Sequence, residues 1–204
     1  MQLILSQLDA IDRYLEQHQL DFLDFKLEIK EHLATATEGL MKEKEIPFDN
    51  AFLLAVEPWE NELQVKKYWL ISNERLFPSF VIQRIKNKVA FHYGVVFIFA
   101  IIAAVLFSKY LNENQTVFKY SVGFCGSVYF LLRRLMNNKK VKTSYRFHFD
   151  YFYMPVLLVF AWFFVFQLSF VYANFIGFLV LVNFPFTIYY FVKHHQFVKK
   201  YKLA

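Results

Sequence analysis

Residues 175–192 read FIGFLVLVNFPFTIYYFV, and no charged side chain interrupts them. As an α-helix this stretch is roughly 27 Å long, close to the hydrocarbon thickness of about 30 Å in a lipid bilayer. Lys193, His194 and His195 follow it at once. The stretch therefore predicts a membrane-spanning helix that ends at a basic boundary.

Three other apolar stretches precede this one. Together they predict a four-helix transmembrane bundle with spans at about residues 89–107, 116–132, 154–172 and 175–192. Only a few residues around Asn174 separate the last two spans, so we expect them to form a tight antiparallel hairpin. The expected fold class is all-α, with a membrane domain over residues 89–204.

The charge of the chain is divided unevenly along its length. Residues 1–88 contain 15 acidic and 11 basic residues, whereas residues 89–204 contain 2 acidic and 12 basic residues. Because Lys and Arg beside membrane spans set the orientation of the spans, the basic excess indicates membrane topology and not a nucleic-acid surface. We therefore expect no nucleic-acid partner.

Basic residues concentrate on one side of the four predicted spans. They are Arg84, Lys86, Lys88, Arg133, Arg134, Lys139, Lys140, Lys142, Arg146, Lys193, Lys199, Lys200 and Lys202. The opposite side has only Lys109 and Lys119, which Glu113 partly offsets. The pattern predicts a multi-pass protein of the cell (inner) membrane with both termini in the cytoplasm, next to an anionic leaflet.

The sequence indicates neither an oxidising compartment nor a cleaved signal peptide. Cys125 is the single cysteine and cannot form an internal disulfide. The first residues lack the basic region of a signal peptide, and Asp9 and Asp12 interrupt any apolar core. We expect the later spans to direct insertion.

Residues 1–77 predict a small soluble helical bundle. Helical spacing gives one apolar face to each of four segments, namely Leu5, Leu8, Ile11 and Leu15; Phe22, Phe25, Ile29, Leu33, Ala36 and Leu40; Ala51, Phe52, Leu54 and Ala55; and Trp59, Leu63, Lys66 and Leu70. Asp21 is the expected N-cap of the second helix, and Pro58 is expected to open the fourth. Helices with one apolar face each should pack together.

Residues 78–88 connect this bundle to the membrane domain. They combine aromatic and aliphatic residues with three basic ones. Two interpretations remain open: an amphipathic helix in the headgroup layer, or a cytoplasmic extension of the first span.

Several short motifs in the N-terminal bundle resemble one known family. Tyr14 and Leu15 lie in the first helix, residues 28–33 read EIKEHL, residues 48–52 read FDNAF, and Pro58 leads the last helix. Over residues 8–70 the chain resembles the HAAS-type helical signalling domain of bacterial membrane proteins, which is often associated with PadR-type regulators. The family usually has Gly before this proline, where the chain has Glu57. The resemblance implies regulation or protein contact and no catalytic residue.

Small and helix-breaking residues predict contacts within the membrane domain. Ala100 and Ala104 in the first span, and Gly123 and Ser127 in the second, are spaced by four and should allow close packing of these two spans. Pro185 should kink the fourth span, and the side chain of Asn183 should bond the backbone that the kink frees.

The only candidate metal ligands lie at the predicted cytoplasmic ends of the spans. They are His92, His148, Asp150, His194 and His195. Imidazoles and a carboxylate can bind zinc, iron or haem, but histidine also suits an amphipathic interface as a packing residue. Glu28 and His32, one helical turn apart, are more typical of a solvated helix face. We therefore expect no cofactor, no catalytic residue and no enzymatic activity.

The favoured function is an integral membrane regulatory or scaffolding protein whose residues 1–77 bind a protein partner or self-associate. No acidic or basic residue lies in the central part of the spans, which argues against a pump. A small transporter subunit or lipid-handling protein is the first alternative, and a membrane metalloenzyme using the histidines is the second. The acidic bundle could also dock on the basic loop 133–146.

Overall fold

The computed structural model describes residues 2–68, 72–137, 141–151 and 170–201. The chain is divided into two compact units. The first contains Met1–Asn87 together with Lys142–Ser144, and the second contains Lys88–Val141 and Tyr145–Ala204. Helices predominate in both units, in agreement with the predicted all-α class.

The first unit begins with three helices, as the apolar spacing predicts. They are α1 (Leu5–Gln17), α2 (Leu23–Glu43) and α3 (Phe48–Val56). A 3₁₀ turn at Glu57–Trp59 and a short helix α4 (Glu60–Leu63) follow, so Pro58 lies in a first helical turn as expected. Residues from all four helices fill the core, including the fully buried Ile11, Leu15, Leu33, Ala51 and Leu63.

The buried face of α2 differs from the predicted one in its second half. The buried residues are Phe25, Ile29, Leu33, Thr37 and Met41, all spaced by four, so the prediction of Ala36 and Leu40 is wrong. A spacing of four advances about 40° around the helix at each step, so the buried stripe winds gradually along α2. Thr37 is tolerated in the core because its hydroxyl donates to the Leu33 carbonyl at 2.7 Å.

A β-hairpin replaces most of the predicted fourth helix. Strand β1 (Val65–Tyr68) pairs antiparallel with β2 (Ser72–Pro78), so that Lys67 lies opposite Leu76. The prediction of a helix through Lys66 and Leu70 is therefore wrong beyond Leu63. Valine, tyrosine and tryptophan between residues 65 and 69 favour extended backbone, and a run this short is ambiguous by periodicity alone.

Helix α5 (Ser79–Glu113) is one continuous helix of 35 residues. Its beginning coincides with the predicted connector, and there Phe80, Val81 and Ile85 are buried in the first unit. The Phe80 ring contacts the rings of Phe25 and Trp59, with centroids 5.5 and 6.4 Å away. The apolar face of the connector thus packs on protein, which favours its interpretation as an extension of the first span.

Most of the described residues of the second unit are helical. Besides α5 it contains α6 (Gln115–Asn137), α7 (144–151) and α8 (Phe170–Lys200). Its main core joins α5, α6 and α8 through Ala100, Phe118, Val122, Cys125, Tyr129, Phe178 and Val180. A second cluster contains Met136, Phe149 and Tyr190.

Two helices in the described part of the chain are long and apolar enough to cross a membrane, at Ser79–Phe107 and Phe175–Lys200. Only 17% and 33% of their most apolar windows are buried, unlike the core helix of a soluble protein. The second predicted span coincides with α6, which Lys119 and several small polar residues make less apolar. Most of the third predicted span, 154–172, lies outside the described residues.

The predicted turn between the third and fourth spans is not where the sequence indicated. Residues 170–174 belong to α8, so a turn at Asn174 is wrong. No glycine or proline lies between residues 169 and 176, and a single asparagine is only a weak helix breaker.

Close approach of helices in the second unit depends on Gly177 and not on Gly123. Ala100 and Ala104 belong to the core, as predicted, but the Ser127 side chain is exposed. A Cβ atom on Gly123 would meet nothing within 4 Å, whereas one on Gly177 would lie 2.4 Å from Phe118 Cζ. The predicted role of Gly123 and Ser127 is therefore wrong for the contacts that the structure describes.

We expect Gly177→Ala to destabilise the protein and Gly123→Ala to leave it unchanged or slightly more stable. Overpacking costs about 1–3 kcal/mol, which exceeds the roughly 1 kcal/mol that alanine contributes to a helix interior. The free energy of unfolding of each full-length variant, measured by denaturant titration in detergent, checks this. Equal effects of the two substitutions would contradict the assignment.

Candidate functional site

A network of buried polar side chains links α5, α6 and α8 in the second unit. His92 Nε2 donates to Asn183 Oδ1 at 2.6 Å, and Asn183 Nδ2 donates to the Tyr129 hydroxyl at 2.9 Å. The Thr187 hydroxyl is hydrogen-bonded to that of Tyr129 and lies 3.2 Å from the Asn183 carbonyl. All four residues are buried. The amide of Asn183 thus joins three helices.

The position of Asn183 corrects one prediction from the sequence. We expected its side chain to bond the backbone near Pro185, but both ends of its amide are used by His92 and Tyr129. Helix α8 continues through Pro185, so the proline does not end the helix. Asn183 therefore acts between helices and not within one.

The histidines that we considered as metal ligands pack against aromatic rings at separate positions. The ring of His92 lies edge-on to Phe186 at 4.4 Å, and the ring of His148 stacks on Tyr190 at 5.2 Å. Burial, with smaller contributions from Lys88 and His92, lowers the pKa of His148 to about 3, so it is neutral at physiological pH.

The remaining candidate ligands lie in other surroundings. His194 is fully buried, whereas His195 is half-buried and packs on Phe191 with ring centroids 4.1 Å apart. Asp150 lies 3.7 Å from Arg133 and 4.0 Å from Arg146, although burial raises its pKa. Within residues 2–68, 72–137, 141–151 and 170–201, no three His, Cys, Asp or Glu side chains converge as a metal would require. The metal interpretation has no geometric support in this part of the chain.

Glu28 and His32 are likewise used in packing within the first unit. The Glu28 carboxylate pairs with Arg84 at 2.7 Å, and the His32 ring lies 6.3 Å from that of Trp59. The Arg84 guanidinium also lies over the rings of Phe25 and Phe80. This ion pair joins α2 to the first turns of α5, which sequence spacing could not show.

An open cavity of about 440 Å³ lies beside the polar network. Its lining comes from three helices: Lys88, Phe91 and His92 of α5, Tyr145 of α7, and Pro185, Phe186, Tyr189 and Tyr190 of α8. Most of these side chains are aromatic, and Lys88 carries the one full charge among them. The cavity was not predicted, because its walls are 40 to 100 residues apart in the chain.

In the first unit, residues 142–144 and the start of α2 cap one another. The Leu23 N–H donates to the Lys142 carbonyl at 3.0 Å, and the Ser144 N–H donates to Asp24 Oδ1 at 2.8 Å. Ser144 Oγ also donates to Asp24, and Lys142 pairs with Asp21 at 3.1 Å. Asp21 is not the N-cap that we predicted, since Phe22 occupies that position.

No family model matches this chain, and no curated protein or solved structure matches it. The described features are therefore the basis for inferring a function. They are a separate helical unit, a set of outward apolar helices, a buried polar network and an aromatic cavity with a lysine.

We expect Asn183→Ala to lower the free energy of unfolding by about 2 kcal/mol, because it leaves His92 and Tyr129 buried without this partner. Asn114→Ala is the control, since the Asn114 side chain is half-buried and donates to the backbone carbonyl of Tyr110 at 3.2 Å. Its effect should remain below about 0.5 kcal/mol. Denaturant titration in detergent measures both, and equally small losses would argue against a structural role of the network.

We expect Asp24→Ala to weaken the attachment of residues 142–144 more than Asp21→Ala does. Asp24 accepts two hydrogen bonds at a helix start, which is worth about 1–2 kcal/mol, whereas the exposed Asp21 pair contributes below about 1 kcal/mol. Limited proteolysis near residues 137–146 should accelerate for Asp24→Ala only. Equal cleavage of both variants would contradict the capping role.

Proposed function

We propose that this chain is an integral membrane regulatory or scaffolding protein. Its first unit would serve as a cytoplasmic module for protein contact, and its second unit as a multi-pass anchor. The observation that carries the proposal is the division of the chain into a separately packed helical unit and a unit whose apolar side chains face outward.

The outward apolar surface is the main support for membrane insertion. Large apolar side chains are exposed along α5 at Phe97, Ile98, Phe99, Ile101, Ile102, Val105, Leu106 and Phe107. Helix α6 continues the pattern with Val117, Tyr120, Phe124, Phe130 and Leu131. In water a surface of this size would cause association, whereas in lipid it is the expected exterior. The polar side chains His92 and Asn183 lie inside instead.

We infer four spans, with α6 as the second and residues 154–172 as the third. Both termini would then lie on the cytoplasmic side of a bacterial inner membrane. The support is the distribution of basic residues, which flank the inferred spans on one side. Helix α6 is less apolar than α5 and α8, but a less apolar span is stable when polar residues such as Tyr129 face the bundle interior.

Cysteine accessibility tests this topology. In a Cys125→Ala background, Asn87→Cys and Gln115→Cys place a thiol just before and just after the first inferred span. A membrane-impermeant maleimide should label position 115 in intact spheroplasts and position 87 only after permeabilisation. The opposite order would invert the topology, and equal labelling would contradict insertion of α5.

The protein-contact role is supported by one outward face of α3. Leu53 and Leu54 are exposed there, with Asn50 and Glu57 on the same face of the helix. The other large apolar side chains exposed in the described part of the first unit are Ile4, Leu5 and Val65, and none of them lies on α3. The resemblance of residues 8–70 to a HAAS-type domain favours the same role, since that family implies regulation or protein contact.

Site-specific photo-crosslinking in the native membrane tests this role. A photoreactive phenylalanine at Leu53 should give a discrete adduct, whereas the same residue at the exposed Glu31 of α2 should give none. An adduct of twice the chain mass would identify self-association, and a different mass a separate partner. The absence of an adduct at Leu53 and Leu54, or equal adducts at all positions, would contradict the proposal.

A lipid-handling role is the second candidate, and the aromatic cavity is the observation that favours it. The transporter alternative lacks comparable support, since no Asp, Glu, Lys or Arg is among the buried residues of the described helices. The metalloenzyme alternative lacks a converging ligand set in the same residues.

A further inference from the structure

We propose that the first turns of α2 and α7 stabilise one another and form a conformational relay, in which opening of one helix start opens the other. The relay deepens the proposed regulatory function, on which its biological role rests. It names the element through which a change in the first unit reaches a helix that continues into the second.

Three residues of the connection between α6 and α7 belong to the first unit. Lys142–Ser144 pack there, whereas Val141 and Tyr145, on either side of them, belong to the second unit. Thr143 and Ser144 are 1% and 0% exposed. Ser144 is also the first residue of α7. The start of α7 is therefore an internal part of the first unit, while the rest of this helix belongs to the second.

Each of the two helix starts receives its cap from the other segment. The N–H of Leu23, the first residue of α2, donates to the Lys142 carbonyl at 3.0 Å. The N–H of Ser144, the first residue of α7, donates to Asp24 Oδ1 at 2.8 Å, and Ser144 Oγ donates to the same carboxylate. The first N–H groups of an α-helix find no acceptor within their own helix, so the two starts satisfy one another.

The local sequence of α2 does not replace this contact. Phe22 is the N-cap residue, and a phenyl ring cannot accept the hydrogen bond that Ser, Thr, Asp or Asn would accept at this position. The carboxylate of Asp24 lies in the first turn of α2, yet it accepts from the start of α7. Loss of the contact therefore deprives both helix starts of the acceptors that they use in the structure.

The next turn of α2 holds α5. The Glu28 carboxylate, one turn beyond Asp24, pairs with both terminal nitrogens of Arg84 at 2.7 Å. Between the two carboxylates, the Phe25 ring packs on Phe80 with centroids 5.5 Å apart. Arg84 and Phe80 lie in the part of α5 that belongs to the first unit. The first two turns of α2 therefore bind two helices that continue into the second unit, α5 and α7.

The proposed partner surface is linked to the same helix. Helix α3 carries the exposed Leu53 and Leu54 and packs on α2. A partner that binds α3 more tightly when the start of α2 is closed would also favour the closed start of α7. By linkage, the state of α7 would change the affinity for the partner by the same factor.

Amide hydrogen exchange of the full-length protein in detergent tests the relay from both ends. The amides of residues 26–28 report the first turn of α2 and those of residues 148–150 the first turn of α7, because each bonds to the carbonyl four residues earlier. Asp24→Ala perturbs the contact from α2, and Ser144→Pro perturbs it from α7. Proline suits the first position of a helix, so Ser144→Pro removes both donors to Asp24 without opposing α7 itself.

We expect Asp24→Ala to accelerate exchange at residues 148–150 about tenfold, which is the effect of losing a helix cap. Ser144→Pro should accelerate exchange at residues 26–28 to a similar extent. Asp24→Asn should keep most of the protection, because its amide oxygen still accepts from the Ser144 N–H. Glu31→Ala is the matched control, since it removes a carboxylate from an exposed position of the same helix, and it should change neither set of amides.

Acceleration confined to the substituted helix in both variants, or no acceleration in either, would overturn the relay. Protection of the α1 amides shows that a variant is folded, and if Asp24→Ala reduces it, Ser144→Pro decides. If exchange is coupled but Leu53 gives no photo-adduct, the protein-contact role fails and the relay remains. If the adduct forms but exchange is not coupled, only the relay fails.

Discussion

The arrangement of the second unit depends on the amide of Asn183. Its two ends bond His92 on α5 and Tyr129 on α6, while its own backbone belongs to α8. Apolar contacts between membrane helices specify their register poorly, because lipid chains are as apolar as the side chains that they replace. A buried amide is satisfied in one arrangement only, so it selects the register. Gly177 then allows α8 to approach Phe118 of α6 at that register.

The same arrangement creates the cavity and gives the buried polar residues their hydrogen-bond partners. With Asn183 held by α5, Pro185 and Tyr189 of α8 are brought opposite Lys88 and His92, and the space between them stays open on one side. The buried His92 and Thr187 complete hydrogen bonds inside an apolar unit.

Much of the fold could be predicted because helical periodicity is local. The spacing of apolar residues predicts α1, α2 and α3, and two uncharged stretches of 18 or more residues predict the long apolar helices at Ser79–Phe107 and Phe175–Lys200. The hairpin over Val65–Pro78 could not be predicted, since residues 65–71 contain five apolar residues in seven, and so short an apolar run fits a helix and a strand equally well. The predicted turn at Asn174 was wrong for a different reason: a single asparagine is only a weak helix breaker, and residues 170–174 belong to α8.

The sequence by itself determined helices α1 to α3, two stretches that are apolar enough for a bilayer, and the positions of the basic residues. Only the tertiary structure decided that Asn183 bonds His92, 91 residues away, and that Asp24 accepts from Ser144, 120 residues away. It also assigned close packing to Gly177 instead of Gly123. The physical reason is the distance along the chain over which each effect acts. Helical periodicity depends on neighbours within one or two turns, whereas these hydrogen bonds and the cavity depend on which helix faces meet.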